Sequence, residues 1–279
     1  ANGLVNYGGE NVDDNSGILK YVRIEFAGKR VNNGSYFNGL LLAGVGSGTI
    51  LENIMVSYSA GNAFEVLGGN INMYNMVSYK ANSNDYKFNY GAQCNLLNSL
   101  AIRSPYVSSS DGSRCLQILS YNEKEEVDLA KSGTFVSAKN LTLLNASKDL
   151  DNDIKMNLVQ EAIYVGANTL LDMNKSVISG FNPAVILDEN IALNQENLEN
   201  INLNAMLFNN CKGNIFVEYN NNNEDLENWY GNSAFFNVYS KSDNYETFID
   251  TDNDKKPDFR LRINKIIASN EVDPDLRMD

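Results

Sequence analysis

The stretch "DTDNDKKPD" sets four carboxylates at a spacing that could do chemistry. Asp250, Asp252, Asp254 and Asp258 occupy positions one, three, five and nine of a loop. Alternate carboxylates of this kind resemble a calcium loop, in which they converge on a hard cation. Lys255 stands where such a loop has its glycine, and Leu261 where it has its bidentate glutamate. Two readings remain open: a structural Ca2+ site, or an acidic solvated turn. Asp13 and Asp14 in "GGENVDDNSG" pose the same choice, with a turn held by Asx hydrogen bonds as the simpler answer.

Histidine is absent from the 279 residues. That removes Ser-His-Asp and Cys-His nucleophile systems, histidine-ligated zinc and any histidine general base. Carboxylates, Lys, Arg, Tyr and oxygen-ligated metal remain. Cys94, Cys115 and Cys211 show no CxxC spacing and are odd in number, which reads as free buried thiols rather than a disulfide framework. The 22 Lys and Arg against 35 Asp and Glu give a net charge of −13, which repels nucleic acid and anionic lipid. No apolar run is long enough to span a bilayer. The opening "ANGLVNYGG" lacks the n-region and apolar core of a signal peptide, so a trimmed or mature form is expected.

A binding role asks less of the chain than catalysis does. Asn and Ser abound at turns, and Tyr36, Phe37, Tyr106, Trp229 and Tyr230 are candidate sugar platforms, with packing under loops as the alternative.

Such residues need elements to hold them, and the sequence supplies a repeat. "MVSY" occurs at Met55 and again at Met76. Aligned on it, residues 21–26, 53–58, 74–79 and 97–102 place Ile24, Val56, Val77 and Leu100 in one column and Phe26, Tyr58, Tyr79 and Ile102 in the next. Alternation of apolar and polar positions makes each row a half-buried strand. A second family follows Asn38, Asn62 and Asn84, stacking Leu40, Phe64 and Tyr86, then Leu42, Val66 and Phe88. Asn tolerates left-handed backbone and bonds along a stack of equivalent turns, while Gly44, Gly68 and Gly91 permit the next corner. Two or more strands per period of a little over 20 residues predict an all-β, right-handed single-stranded parallel β-helix. Residues 1–217 are expected to form its coils and 218–279 a C-terminal cap continuing the same domain. In that frame Glu65 and Lys87 fall one coil apart on the outside, an ion-pair ladder before an acid/base pair. Arg23 with Glu25 reads as an exposed pair, and Asp85 and Asp111 gain no partner carboxylate.

The rows "SGILKYVRIEFAG", "LLLAGVGSGTILENIMVSYSAGNAFEVLGG" and "NDYKFNYGAQ" resemble a family of secreted or lipid-anchored right-handed parallel β-helix proteins of Bacteroidetes, over residues 8–103. The resemblance implies further coils upstream, a lipid anchor before this chain, and an outer-membrane, cell-surface or periplasmic location in a Gram-negative bacterium. It brings no established activity. The family's acidic row stands here as "NDYKFNYG", with Lys87 and Asn89 at positions where acids are common. The expectation is a non-catalytic envelope module, glycan-binding or structural, whose partner is a polysaccharide or another envelope protein. A polysaccharide lyase or glycoside hydrolase is the alternative, and a protein-interaction scaffold or adhesin the third reading.

Overall fold

The chain winds as a right-handed parallel β-helix, seen in a computed structural model that describes residues 7–32, 35–107, 113–122, 132–220, 223–253 and 255–262. Each full coil contributes three strands, one to each of three faces. The first face stacks Asn70–Tyr74, Gln93–Leu97, Phe135–Lys139, Leu170–Asn174 and Ile201–Asn204. The second stacks Val77–Tyr79, Leu100–Arg103, Thr142–Asn145, Val177–Ser179, Leu207–Asn209 and Val238–Ser240. The third runs from Leu40–Ala43 through Phe64–Leu67 and Tyr86–Asn89 to Ile215–Val217, parallel throughout.

The first two faces begin as one. Ile18–Glu25 and Ile50–Ser57 are continuous eight-residue strands, and Ile50–Ser57 pairs with both Asn70–Tyr74 and Val77–Tyr79. The bend between the faces is a column of left-handed residues: Tyr21, Asn53, Asn75, Asn98, Asn140, Lys175 and Ala205. Asn suits that conformation because its short amide bonds locally. Here the amides also bond to one another, Asn75 Nδ2 to Asn53 Oδ1 at 3.1 Å and Asn140 Nδ2 to Asn98 Oδ1 at 3.0 Å. A second ladder precedes the third face, where Asn38 Oδ1 accepts from the Asn62 amide and Asn62 Oδ1 from the Asn84 amide.

The core is the column filling of this coil. Leu40, Phe64, Tyr86, Leu116, Ile163, Val185 and Ile215 lie in register, as do Leu42, Val66, Phe88 and Ile118. Phe64 and Tyr86 stack at 5.2 Å, and the Tyr86 hydroxyl crosses the interior to within 3.0 Å of Met76 O and 2.9 Å of Leu100 O. Opposite them the second face narrows to Ser78 and Ala101, so large and small side chains share the cross-section.

The columns read from "MVSY" need correction on this second face. Val56 pairs with Ser78 and Met55 with Val77, so the two quartets are one residue out of register. The coil there is 22 residues, one more than the 21 that separate the quartets. Ile24 and Val56 share a column with Ser78 and Ala101, while Val77 and Leu100 share one with Arg23 and Met55. Phe26 and Tyr58 lie outside the strands in left-handed backbone, exposed to solvent.

One ion pair lies inside the wall. Arg103 Nη1 meets Asp85 Oδ2 at 3.0 Å, and the guanidinium also donates to Ser83 O and Ala81 O. Ser78 Oγ donates to the other Asp85 oxygen. Burial, the largest influence, pushes the Asp85 carboxyl above its ordinary range, and Arg103 and then Ser78 draw it partway back. A raised carboxyl binds its proton more tightly in the folded state, so its contribution is present at low pH and is lost as pH rises through the raised value.

At the far end the helix Glu224–Tyr230 closes the interior with Leu226 and Tyr230, whose hydroxyl donates to Ile201 O at 2.7 Å. Val238–Ser240 still adds a strand to the second face, so the coil path runs beyond Val217. A hairpin, Phe248–Asp250 with Asp258–Leu261, then folds back over that face. Phe248, Phe259 and Leu261 cover the outward side chains Ile102, Leu144, Val177 and Leu207.

Urea unfolding should rank these positions. Phe88→Ala should cost about 3–5 kcal/mol by leaving a cavity. Arg103→Met should cost about 3–5 kcal/mol by stranding the buried Asp85 carboxyl. Arg23→Ala, at an exposed pair, should change stability by less than about 0.5 kcal/mol. An Arg103→Met protein as stable as the parent would remove the ion pair from the account of the wall.

Candidate functional site

The return of the hairpin creates a cleft. Its floor is the outer surface of the second face and its walls are the helix Asn244–Thr247 and the hairpin. It encloses about 310 Å³. Tyr79, Lys80, Ile102 and Asn145 line it from the coils, with Ser147, Lys148 and Asn210 from the corners that follow. Asp243, Asn244, Tyr245, Asp252, Asn253 and Phe259 line it from the C-terminal segment. Amides, hydroxyls, two lysines, two carboxylates and aromatic rings therefore converge on one concave surface.

Local structure fixes several of these groups. Asn244 Oδ1 accepts from Ser179 Oγ at 3.0 Å, and its Nδ2 donates to Asn145 O at 3.2 Å, tying the wall to the floor. Lys80 Nζ sits 4.9 Å from the Tyr79 ring centroid. The Tyr79 ring meets Tyr58 edge-on at 5.6 Å, and Tyr58 stacks on Phe26 at 5.1 Å with 6° between planes. An outward aromatic row thus runs across three coils into the cleft. Tyr245 is 59 % exposed at the rim, and the charges of Glu246 and then Asp243 hold its hydroxyl pKa above the ordinary tyrosine value.

The sequence-derived acids separate. Asp252 lines the cleft; Asp250 and Asp258 face each other across the hairpin strands. Arg260 takes Asp258, with Nε 2.9 Å from Oδ1 and 3.1 Å from Oδ2, and holds that carboxyl down at about 2. Asp258 opens instead onto a shallower groove on the other side of the hairpin, shared with Asn98, Asn140 and Lys256. Asp254 lies outside the described residues, as does Asp111. Among the described residues no three Asp, Glu or Cys side chains gather as a metal group.

The five candidate aromatics also lie apart. Tyr36 and Phe37 are exposed on the first coil's insertion, where Ser35–Tyr36 pairs with Arg30–Asn32. Tyr106 is exposed on another corner, its hydroxyl 3.4 Å from Asp153, whose charge raises the hydroxyl pKa. Trp229 is half-buried against the core, 6.0 Å from Phe235, with its indole N–H buried and without an acceptor among the described residues. Tyr230 is fully buried and is corrected here to a core residue, because it plugs the end of the coil and spends its hydroxyl on Ile201. Sequence reasoning missed Tyr79 and Tyr245. A signal for Tyr79 existed in its column with Phe26 and Tyr58, which was read as inward; nothing local places Tyr245 against that face.

The outer third face carries a second polar row, in which acids are matched. Lys87 Nζ lies 3.2 Å from Glu65, which also accepts from Asn38. Arg114 pairs with Glu161 and lies 4.8 Å over the Tyr164 ring. The Tyr164 hydroxyl is 3.0 Å from Asp188 and 2.9 Å from Glu218, and burial followed by the Glu218 hydrogen bond pushes its pKa far up, keeping it protonated. Cys94 and Cys115 are buried thiols whose pKa burial pushes well up, and burial pushes the Cys211 thiol up to about 11.

The Arg260 contact gives a pH test. A depressed carboxyl contributes above its unfolded value and loses that contribution as pH falls through about 2. The Asp258 carboxyl resonance should therefore titrate near 2, and Arg260→Ala should return it toward the ordinary aspartate range. A midpoint unmoved by the substitution would show that Asp258 has another partner.

The family model described as the pectate-lyase like beta helix domain matches residues 2–254. Neither the comparison with curated proteins nor that with solved structures returns a match. With three parallel faces, a continuous inner core and a family match over most of its length, the chain belongs to the pectate-lyase-like β-helix family.

Proposed function

We propose that this β-helix is a non-catalytic module that holds a glycan in the cleft beneath the hairpin, exported and displayed at the envelope of a Gram-negative bacterium. The observation that carries the reading is the lining of the cleft, where fixed amides and hydroxyls alternate with the Tyr79 and Tyr245 rings. Sugars present hydroxyls around an apolar ring face, and such a lining offers both partners. Envelope display, with a lipid anchor, rests on the resemblance of residues 8–103 to secreted and lipid-anchored relatives. The net charge of −13 argues against nucleic acid as the ligand.

Acid/base cleavage needs carboxylates free to hold and release protons. Glu65, Glu161 and Asp258 are each engaged by a cation. A second reading is favoured by Asp243 and Asp252, which line the same cleft as Lys80 and Lys148. Two carboxylates suit a hydrolase and a lysine base suits a lyase.

The test incubates the purified protein with neutral and acidic polysaccharides, with calcium and with chelator, and scores retention and new chain ends together. Retention without new ends is expected, and Tyr245→Ala should weaken it about tenfold, the equivalent of about 1.4 kcal/mol. New ends that vanish in Asp243→Asn or Asp252→Asn would overturn binding in favour of catalysis. No retention on any glycan would sink both readings of the cleft.

A further inference from the structure

The rows that open the third face bring an amide, a carboxylate and an amine from three successive coils to one place. Asn38 stands at the corner before Leu40–Ala43, Glu65 on Phe64–Leu67 one coil later, and Lys87 in register with Glu65 on Tyr86–Asn89. Adjacent strands lie about 4.8 Å apart, so side chains from all three coils can meet on the outer wall. Lys87 Nζ lies 3.2 Å from Glu65 Oε1, and Asn38 Nδ2 donates to Glu65 Oε2. The amide is also held from its other side, where the Asn62 backbone N–H donates to Asn38 Oδ1 at 3.1 Å.

This contact is more sheltered than the other lysine pairs. Side-chain exposure is 21 % for Lys87 and 14 % for Glu65, against 38 % and 34 % for Lys20 and Glu52 and 47 % and 69 % for Lys212 and Asp151. A lysine amine, a carboxylate that can carry its proton, and an acyl group whose oxygen accepts a backbone N–H are the parts of an acyl transfer. With amine and amide held on the two oxygens of one carboxylate, an encounter in solution is replaced by a short side-chain movement. The flexible lysine stem supplies that movement.

We propose that Lys87 and Asn38 become joined by an amide bond that the folded protein forms on itself, with Glu65 as the proton carrier. One ammonium proton passes to Glu65 Oε1, and the freed electron pair of Nζ forms the bond to Asn38 Cγ. The Asn62 N–H stabilises the charge that gathers on Oδ1. The Cγ–Nδ2 bond then breaks, and Nδ2 leaves as ammonium after taking the Glu65 proton and a second proton from Nζ. Glu65 ends as a carboxylate, and neither oxidant nor cofactor is consumed. The product staples the corner of the first coil to the third coil across the second, a tie that persists when the backbone ladders open.

The intact mass of the purified chain tests this. The parent should weigh about 17 Da less than its sequence, the mass of one ammonia. A tryptic digest should hold a branched peptide joining the segment around Asn38 to that around Lys87, uncut after Lys87. Lys87→Arg, which keeps the cation, and Glu65→Gln should each return the full sequence mass while circular dichroism shows the parent fold. A parent at its full mass overturns the proposal. So does a loss of ammonia with Lys87 still cut by trypsin, which marks ring closure of Asn38 onto Gly39 instead. A branched peptide that persists in folded Glu65→Gln overturns the role given to the carboxylate.

Discussion

No coil of this protein can bury its own apolar side chains; each relies on the coil before and the coil after. The rest of the structure depends on that constraint, because vertical register must hold on three faces together for the interior to fill. Parallel backbone ladders supply the spacing, and the columns from Leu40 to Ile215 and from Leu42 to Val217 supply the fit. Corners are specified as tightly as strands. Left-handed Asn53, Asn75, Asn98 and Asn140 turn the chain at the same angular position in successive coils, and their amides record that alignment in hydrogen bonds. The buried Arg103, paired with Asp85, donates to wall carbonyls that lie inside the structure.

Much of this architecture was legible in the residues. The third face could be read column by column, because its Asn leaders and alternating apolar positions survive in each of three rows. The second face could not be read as safely. Repetition of "MVSY" is a likeness of letters, whereas register follows hydrogen bonds, and the coil there is one residue longer than the repeat. The left-handed residues at Phe26 and Tyr58 then invert which side chains face water, a switch that period-two reasoning does not see. The candidate site was less legible still. Asp252 was in view as part of an acidic spacing, but its neighbours in space come from Tyr79, Asn145 and Asn210, which only the fold brings together. Tyr230 shows the reverse error, an aromatic in a polar stretch whose burial follows from its place on the closing helix.

Electrostatics sorts the outer surface by role. Two strand acids sit beside a cation on a neighbouring coil, Glu52 with Lys20 and Glu65 with Lys87. Such exposed pairs contribute little each, yet they let an acidic chain stack like rows without repulsion between coils. The cleft departs from the pattern. Lys80, Lys148, Asp243 and Asp252 line the cavity together, with Lys80 over the Tyr79 ring and Asp243 beside Tyr245.

Coil length varies along the axis while the ladders stay unbroken. Val56 and Ser78 are 22 residues apart, Ala101 and Leu143 are 42 apart, and both pairs belong to the same column. The flanking strands keep their register across the longer connection. Insertions and deletions there do not disturb the cross-section, so a lineage carrying this fold can rewrite the walls of its cleft while the interior is inherited unchanged.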